Sequence, residues 1–292
     1  MVLYNPKDWW KLIFAFRKSD TLRRNMPAIF AIAAYTALIA YLENDVFHAQ
    51  FKNTTAIHAL VGFVLSLLLV FRTNSAYDRW WEGRKIWGSF VNNSRNLALK
   101  IAVHIRDKQV RERFGVLIPN YIYAAKEHLR GPVDIRKLAE CDRYTTAYYN
   151  RQGHVPNQVM LAMYTEIKGQ LDSGHISQEE MLFLNNELQS FTDNIGACER
   201  IKKTPIPYSY NIFLKKVIFL YIFSMPIGFV REFGYWSAAI VPILFYIFAS
   251  IEMIAEEIED PFGKDANDLP TDDIYITIKE NVEELLPDVP GH

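Results

Sequence analysis

Four runs without Asp, Glu, Lys or Arg punctuate the chain, at residues 26–42, 53–71, 217–230 and 233–251. The 19 residues of the second run cover about 28 Å as a helix, close to the thickness of a bilayer's hydrocarbon core. No Pro or Gly follows at Arg72, so the pattern predicts one helix that passes from an apolar half into the amphipathic stretch RTNSAYDRWWEGRKIWG. The third run is the shortest and contains Pro226, but residues 208–214 can extend it. The junction Arg231-Glu232-Phe233-Gly234-Tyr235 predicts a tight αα-hairpin into the fourth run. Four spanning helices are therefore expected.

Residues 72–211 carry the chain's longest polar block. Its first part continues the second span through IWGSFVNNSRNLALKIAVHI. Helical spacing returns in RERFGVLIPNYIYAAKEHLR, which stops at Gly131-Pro132, and again at residues 135–149, 157–172 and 177–201. Ser177 with Glu180 three residues on predicts a capping box. Thr204-Pro205-Ile206-Pro207 breaks the chain before the third span, and a last helical pattern covers 276–286. No stretch alternates with period two, so the expected class is an all-α integral membrane protein. The expected organisation is an interfacial segment at 1–25, two spans within 26–71, a cytoplasmic helical domain at 72–211, two spans within 212–254 and an acidic cytoplasmic segment at 255–292.

Composition alone would point elsewhere: 22% charged residues and a net charge of −1 resemble a soluble protein, and only their distribution marks the membrane. Lys11, Arg17, Lys18, Arg23 and Arg24 precede the first span. Arg72, Arg79, Arg84 and Lys85 follow the second, and Lys202, Lys203, Lys215 and Lys216 precede the third, against only Lys52 and Arg231 on the other side. Both termini are thus expected in the cytoplasm, with the spans in the inner membrane. Trp9 and Trp10 suit an interfacial anchor, and no cleavable signal is expected. Cys141 and Cys198 lack metal-site or redox spacing and read as reduced structural thiols. The sequon-like Asn53-Thr54-Thr55 reads as chance.

Phe63, Leu67 and Phe71 recur every four residues along the second span, and Asn74 and Asp78 follow near the same face. Packing or lipid-facing surface is the ordinary account of such a stripe; apolar rings above polar groups also resemble the wall of a pore with a hydrophobic constriction. In Arg79-Trp80-Trp81-Glu82-Gly83-Arg84, Arg84 can stack on Trp80 and Arg79 can pair with Glu82. The reading is an anchoring elbow at the headgroup level. Asp260, Asp265 and Asp268 crowd a Pro/Gly turn after the fourth span. Oxygen ligands on a turn suit Ca²⁺, but the EF-hand pattern is absent, and a solvated acidic loop is the plainer reading. Glu252, Glu256 and Glu257 are expected on an exposed face. His58 is expected to tuck against a neighbouring helix. No nucleophile, metalloprotease or phosphate-binding motif nominates an enzyme.

RTNSAYDRWWEGRKIWG at 72–88, CERI at 198–201 with TPIP at 204–207, and EDPFG at 259–263 together resemble a bacterial member of the bestrophin family, in family order and over nearly the whole chain. The resemblance implies a homopentameric ion channel with the second span of each copy lining a central pore. Phe63, Leu67 and Phe71 correspond to the pore neck, Asn74 and Asp78 to the vestibule, and Met181 to a second, cytoplasmic constriction. Vertebrate members carry an aromatic middle ring and pass chloride; Leu67 removes five aromatic edges that could face an anion. Chloride is the family default, and a monovalent cation is the alternative that Leu67 and Asp78 favour. The EDPFG segment resembles the family's calcium clasp, which makes Asp260, through its backbone carbonyl, together with Asp265 and Asp268 its Ca²⁺ ligands. Lys264, Ala266 and Asn267 stand where animal members are acidic, and a lysine beside the cation opposes binding, so no cofactor is required. The expected partners are the chain itself, the bilayer and the permeant ions, with no nucleic acid. A membrane-anchored scaffold that passes no ion is the rival of another class.

Overall fold

The computed structural model describes residues 20–47, 55–150 and 153–287; Trp9, Trp10 and most of the Asn53 sequon lie outside them. Among the described residues helix is the sole regular secondary structure, with no strand. Two compact units divide it: Val2–Arg79 with Pro205–Glu259, and Trp80–Thr204 with Asp260–His292.

The first unit holds the apolar helices. Helix α1 (Asp20–Tyr41) ends in a π-helical turn, Leu42–Val46. Helix α2 runs unbroken from Thr55 to His104, as the missing stop signal after Phe71 predicts, and its residues to Arg79 belong to this unit. Helices α7 (Tyr208–Phe233) and α8 (Ser237–Glu259) are joined by one 3₁₀ turn, Gly234–Trp236, in which Gly234 adopts φ +51°. Leu65 and Leu69 of α2, Leu214, Ile218, Tyr221, Ile222 and Met225 of α7 and Val241 of α8 form the core of the unit. Only 17% of the most apolar window of α1 or α2 is buried within the chain, so most of this surface requires a non-aqueous or protein neighbour.

The second unit is built on α3 (Lys108–Arg130), whose residues 114–126 are buried without exception. Around it pack α5 (Val155–Asp172), α6 (Gln178–Lys203) and α9 (Thr271–Leu285), together with the second half of α2. Tyr121 of α3 donates its Oη proton to the Phe191 carbonyl at 2.9 Å and packs edge-on against the Phe191 ring. Helix α6 opens with the expected box: Glu180 N–H donates to Ser177 Oγ at 3.2 Å, and Ser177 N–H to Glu180 Oε2 at 2.8 Å.

The expected helix over residues 135–149 is mostly a loop, with only a 3₁₀ turn at Ile135–Lys137 and a single turn, α4, at Thr146–Tyr149. Side chains have taken over its backbone groups. Asn120 of α3 donates to the Ala139 carbonyl at 2.8 Å and accepts its N–H at 2.9 Å, and Glu140 accepts the Thr146 N–H. Glu166 then anchors the loop by accepting from Arg143 at 2.9 Å and Tyr144 at 2.7 Å.

Candidate functional site

Helix α2 has two faces that do different things. Leu65, Leu69, Arg72 and Ala76 are almost fully buried, and His58 is nearly so. Gly62 lies so close to Tyr221 that an added Cβ would stand 2.5 Å from its hydroxyl oxygen. His58 reaches Ser224 on α7 at 3.2 Å, the tucked position the sequence suggests. The Phe63, Leu67 and Phe71 side chains are instead exposed, at 62%, 45% and 65%, and Asn74 and Asp78 continue the exposed line. At about 100° per residue the buried set and this set are centred about 180° apart. The stripe is therefore turned directly away from the chain's own packing surface.

What fixes that rotation was invisible in the sequence pattern. Arg72 is 1% exposed and donates to Glu259 Oε2 at 2.6 Å, while Glu259 Oε1 accepts the Ile206 N–H at 2.7 Å. Arg79 donates to the Glu259 carbonyl at 3.1 Å, and Tyr210 donates to the Leu68 carbonyl at 2.9 Å. Around the Phe63, Leu67 and Phe71 stripe, α2 is thus tied on its other side to α7, to α8 or to the segment before α7. Glu252, expected on an exposed face, is buried, with Lys215 of α7 3.5 Å away; the cation across the helix pair allows it inside.

In the second unit the three motifs meet, although the first lies more than a hundred residues before the other two along the chain. Trp80 donates to the Asn267 carbonyl at 2.9 Å, Glu82 accepts from Arg200 at 2.8 Å, and Asp260 accepts from Lys202 at 3.2 Å. Trp80 stacks on Trp81, with ring centroids 6.5 Å apart. The elbow is thus a structural junction as well as a candidate headgroup anchor.

The three aspartates of the 260–268 loop play unlike parts. Asp260 is exposed and ion-paired, Asp265 is exposed, and Asp268 is buried. Asp268 Oδ2 accepts the Asp265 N–H at 2.6 Å, whereas its Oδ1 has no hydrogen-bond partner. Burial pushes the Asp268 carboxyl up to about 6, against that backbone hydrogen bond. The carbonyls of Pro261, Phe262, Asp265 and Asn267 each accept an N–H donor, and Asp268 braces the loop through the Asp265 N–H.

Met181 sits in the first turn of α6, half-buried against the core of the second unit. Leu182 beside it is 68% exposed, and Lys100 sits 3.8 Å from the centre of the Phe183 ring. Cys141 and Cys198 are both free thiols.

Residues 1–284 match the family model described as Bacterial/Fungal Bestrophin protein. A voltage-dependent anion channel-forming protein of Nostoc sp. is 35% identical over 98% of this chain and 95% of its own length. Another, of Synechocystis sp., is 37% identical over 79% of this chain and 77% of its own. The crystal structure of a bacterial bestrophin homologue from Klebsiella pneumoniae superposes with a TM-score of 0.82 over 90% of this chain and 98% of that one, a likeness of fold at 24% identity. With almost its whole length inside the family model and a full-length relative at this identity, the chain belongs to the bacterial and fungal bestrophin family.

Proposed function

We propose that five copies of this chain form a passive channel for small monovalent ions in the inner membrane. Both termini face the cytoplasm, and α1, the first half of α2, α7 and α8 serve as the four spans. The observation that carries this reading is the Phe63, Leu67 and Phe71 stripe, exposed on the face of α2 opposite its packed face. Cyclic symmetry brings one such face from each copy onto a common axis, where stacked apolar rings form a neck that closes by dewetting. Asn74 and Asp78 line the vestibule below the neck, and Met181 remains the proposed cytoplasmic constriction. No Ca²⁺ is needed in this scheme.

The permeant ion is an anion by the names of the relatives, which are called voltage-dependent anion channel-forming proteins. A second reading, a monovalent cation channel, is favoured by the exposed Asp78 carboxylate below an aliphatic middle ring. Reversal potentials of the purified protein in planar bilayers under a NaCl gradient separate the two. A value near the chloride potential supports the anion channel and one near the sodium potential the cation channel. A folded oligomer that passes no current would replace both with the scaffold.

A further inference from the structure

We propose that His128, His154 and Glu199 form a binding site for a divalent transition metal of the zinc class. The three residues come from the last turn of α3, the N-cap of α5 and the CERI segment of α6. His128 Nε2 lies 2.8 Å and His154 Nε2 2.6 Å from the same carboxylate oxygen, Glu199 Oε1, with the two rings 4.1 Å apart. One ligand atom from each residue lies within 4.8 Å of the others. Two imidazoles and a carboxylate are a ligand set for zinc, which keeps a further position for water; nitrogen ligands of this kind do not suit calcium. At metal–ligand bonds of 2.0–2.2 Å a tetrahedral ion spaces its ligands about 3.3 Å apart, so the cluster opens by roughly half an ångström to admit one. The side chains are 22–28% exposed, which gives an ion and its water a way in.

Admitting an ion replaces the two histidine contacts to Glu199 Oε1 with bonds to the metal. Two further features oppose the metal. Lys203 donates to Glu199 Oε2 at 3.2 Å, but its side chain is 72% exposed and free to swing away. His154 Nδ1 accepts the Asn157 N–H at 3.2 Å as the helix cap, and a metal on Nε2 places a proton on Nδ1 and displaces that already long bond. The site therefore binds at the cost of a cap and staples three helix ends around the CERI segment, whose Arg200 holds Glu82 and whose neighbour Lys202 holds Asp260.

The test is Zn²⁺ titration of the purified full chain in detergent against a competing chromophoric chelator, with Co²⁺ absorption as a report of coordination. Expected are one Zn²⁺ per chain, no competition from equimolar Ca²⁺, and affinity that falls as pH drops through the histidine range. His154→Asn removes one ligand yet supplies a strong N-cap, so the fold is retained, and it should weaken binding at least about tenfold, as loss of even an outer partner does. Glu199→Gln should do the same and abolish the Co²⁺ bands. Zn²⁺ uptake and Co²⁺ spectra unchanged in both variants, or no stoichiometric uptake by the parent chain, would overturn the proposal.

Discussion

Removing the charge of Glu259 tests whether the rotation of α2 is set by electrostatics. Arg72 and Glu259 side chains are 1% and 10% exposed, and the bond between them is 2.6 Å. Among the described residues Arg72 Nε and Nη1 have no hydrogen-bond partner, so there Glu259 is the only hydrogen-bonded acceptor for this guanidinium. Glu259→Gln leaves a buried cation uncompensated, a change that costs about 3–5 kcal/mol. For a chain of this size that lowers the melting temperature by on the order of 10 °C. Arg72→Met combined with Glu259→Gln removes both charges from the apolar site, and such replacements are near neutral. The expected order of stability in detergent, followed by thermal unfolding, is therefore parent and double variant close together and Glu259→Gln well below. Stability of Glu259→Gln within a degree or two of the parent, with the double variant lower, would refute the reasoning, because the pair would then be packing rather than charge.

Leu67→Ala truncates a side chain that is 45% exposed, so on the proposed reading the middle ring widens and single-channel open probability rises several-fold with little change in melting temperature; identical gating would remove Leu67 from the neck. Asp268, raised to about 6 by burial, holds a proton in the folded state that the unfolded chain, at about 4, has already released. Its contribution to stability is therefore lost as pH rises from about 4 through 6, and Asp268→Asn should look progressively better relative to the parent from pH 4.5 to 7. A pH-independent difference in melting temperature contradicts this. Tyr121→Phe deletes the buried bond to the Phe191 carbonyl and should cost about 1 kcal/mol in chemical denaturation, with no loss predicted for conduction.

Local signals were legible where one helix decides its own fate. The run of apolar residues from 53 to 71 with no stop after it predicts the length of α2, and Ser177 with Glu180 predicts the start of α6. Residues 135–149 misled because the competing hydrogen bonds come from elsewhere: Asn120 captures the Ala139 backbone from α3, and Glu166 on α5 captures Tyr144. Periodicity has no access to such partners. Glu252 and the Arg72–Glu259 pair were hidden for the same reason, since 187 residues separate the latter. Charged residues next to an apolar run read as solvated flanks until the fold supplies the opposite charge. His128, His154 and Glu199 each look unremarkable in sequence, and only the convergence of three helix ends makes them a cluster.

Arg72 also explains why a stripe of exposed Phe and Leu is compatible with a single well-defined helix orientation. A smooth apolar helix among apolar helices has little to choose between rotations, because each face buries against its neighbours about equally well. The guanidinium removes that freedom: any rotation that took Arg72 off Glu259 would leave an unpaired charge beside the apolar core, at a cost larger than the gain from burying one of the exposed rings. Gly62 acts in the same direction four residues before Ser66, by admitting Tyr221 only when that face of α2 is turned toward α7. Phe63, Leu67 and Phe71 are held outward by what stands behind them, and their own hydrophobicity argues against the position they occupy in a lone chain. Surface of that kind is stable when a further copy of the chain or lipid covers it.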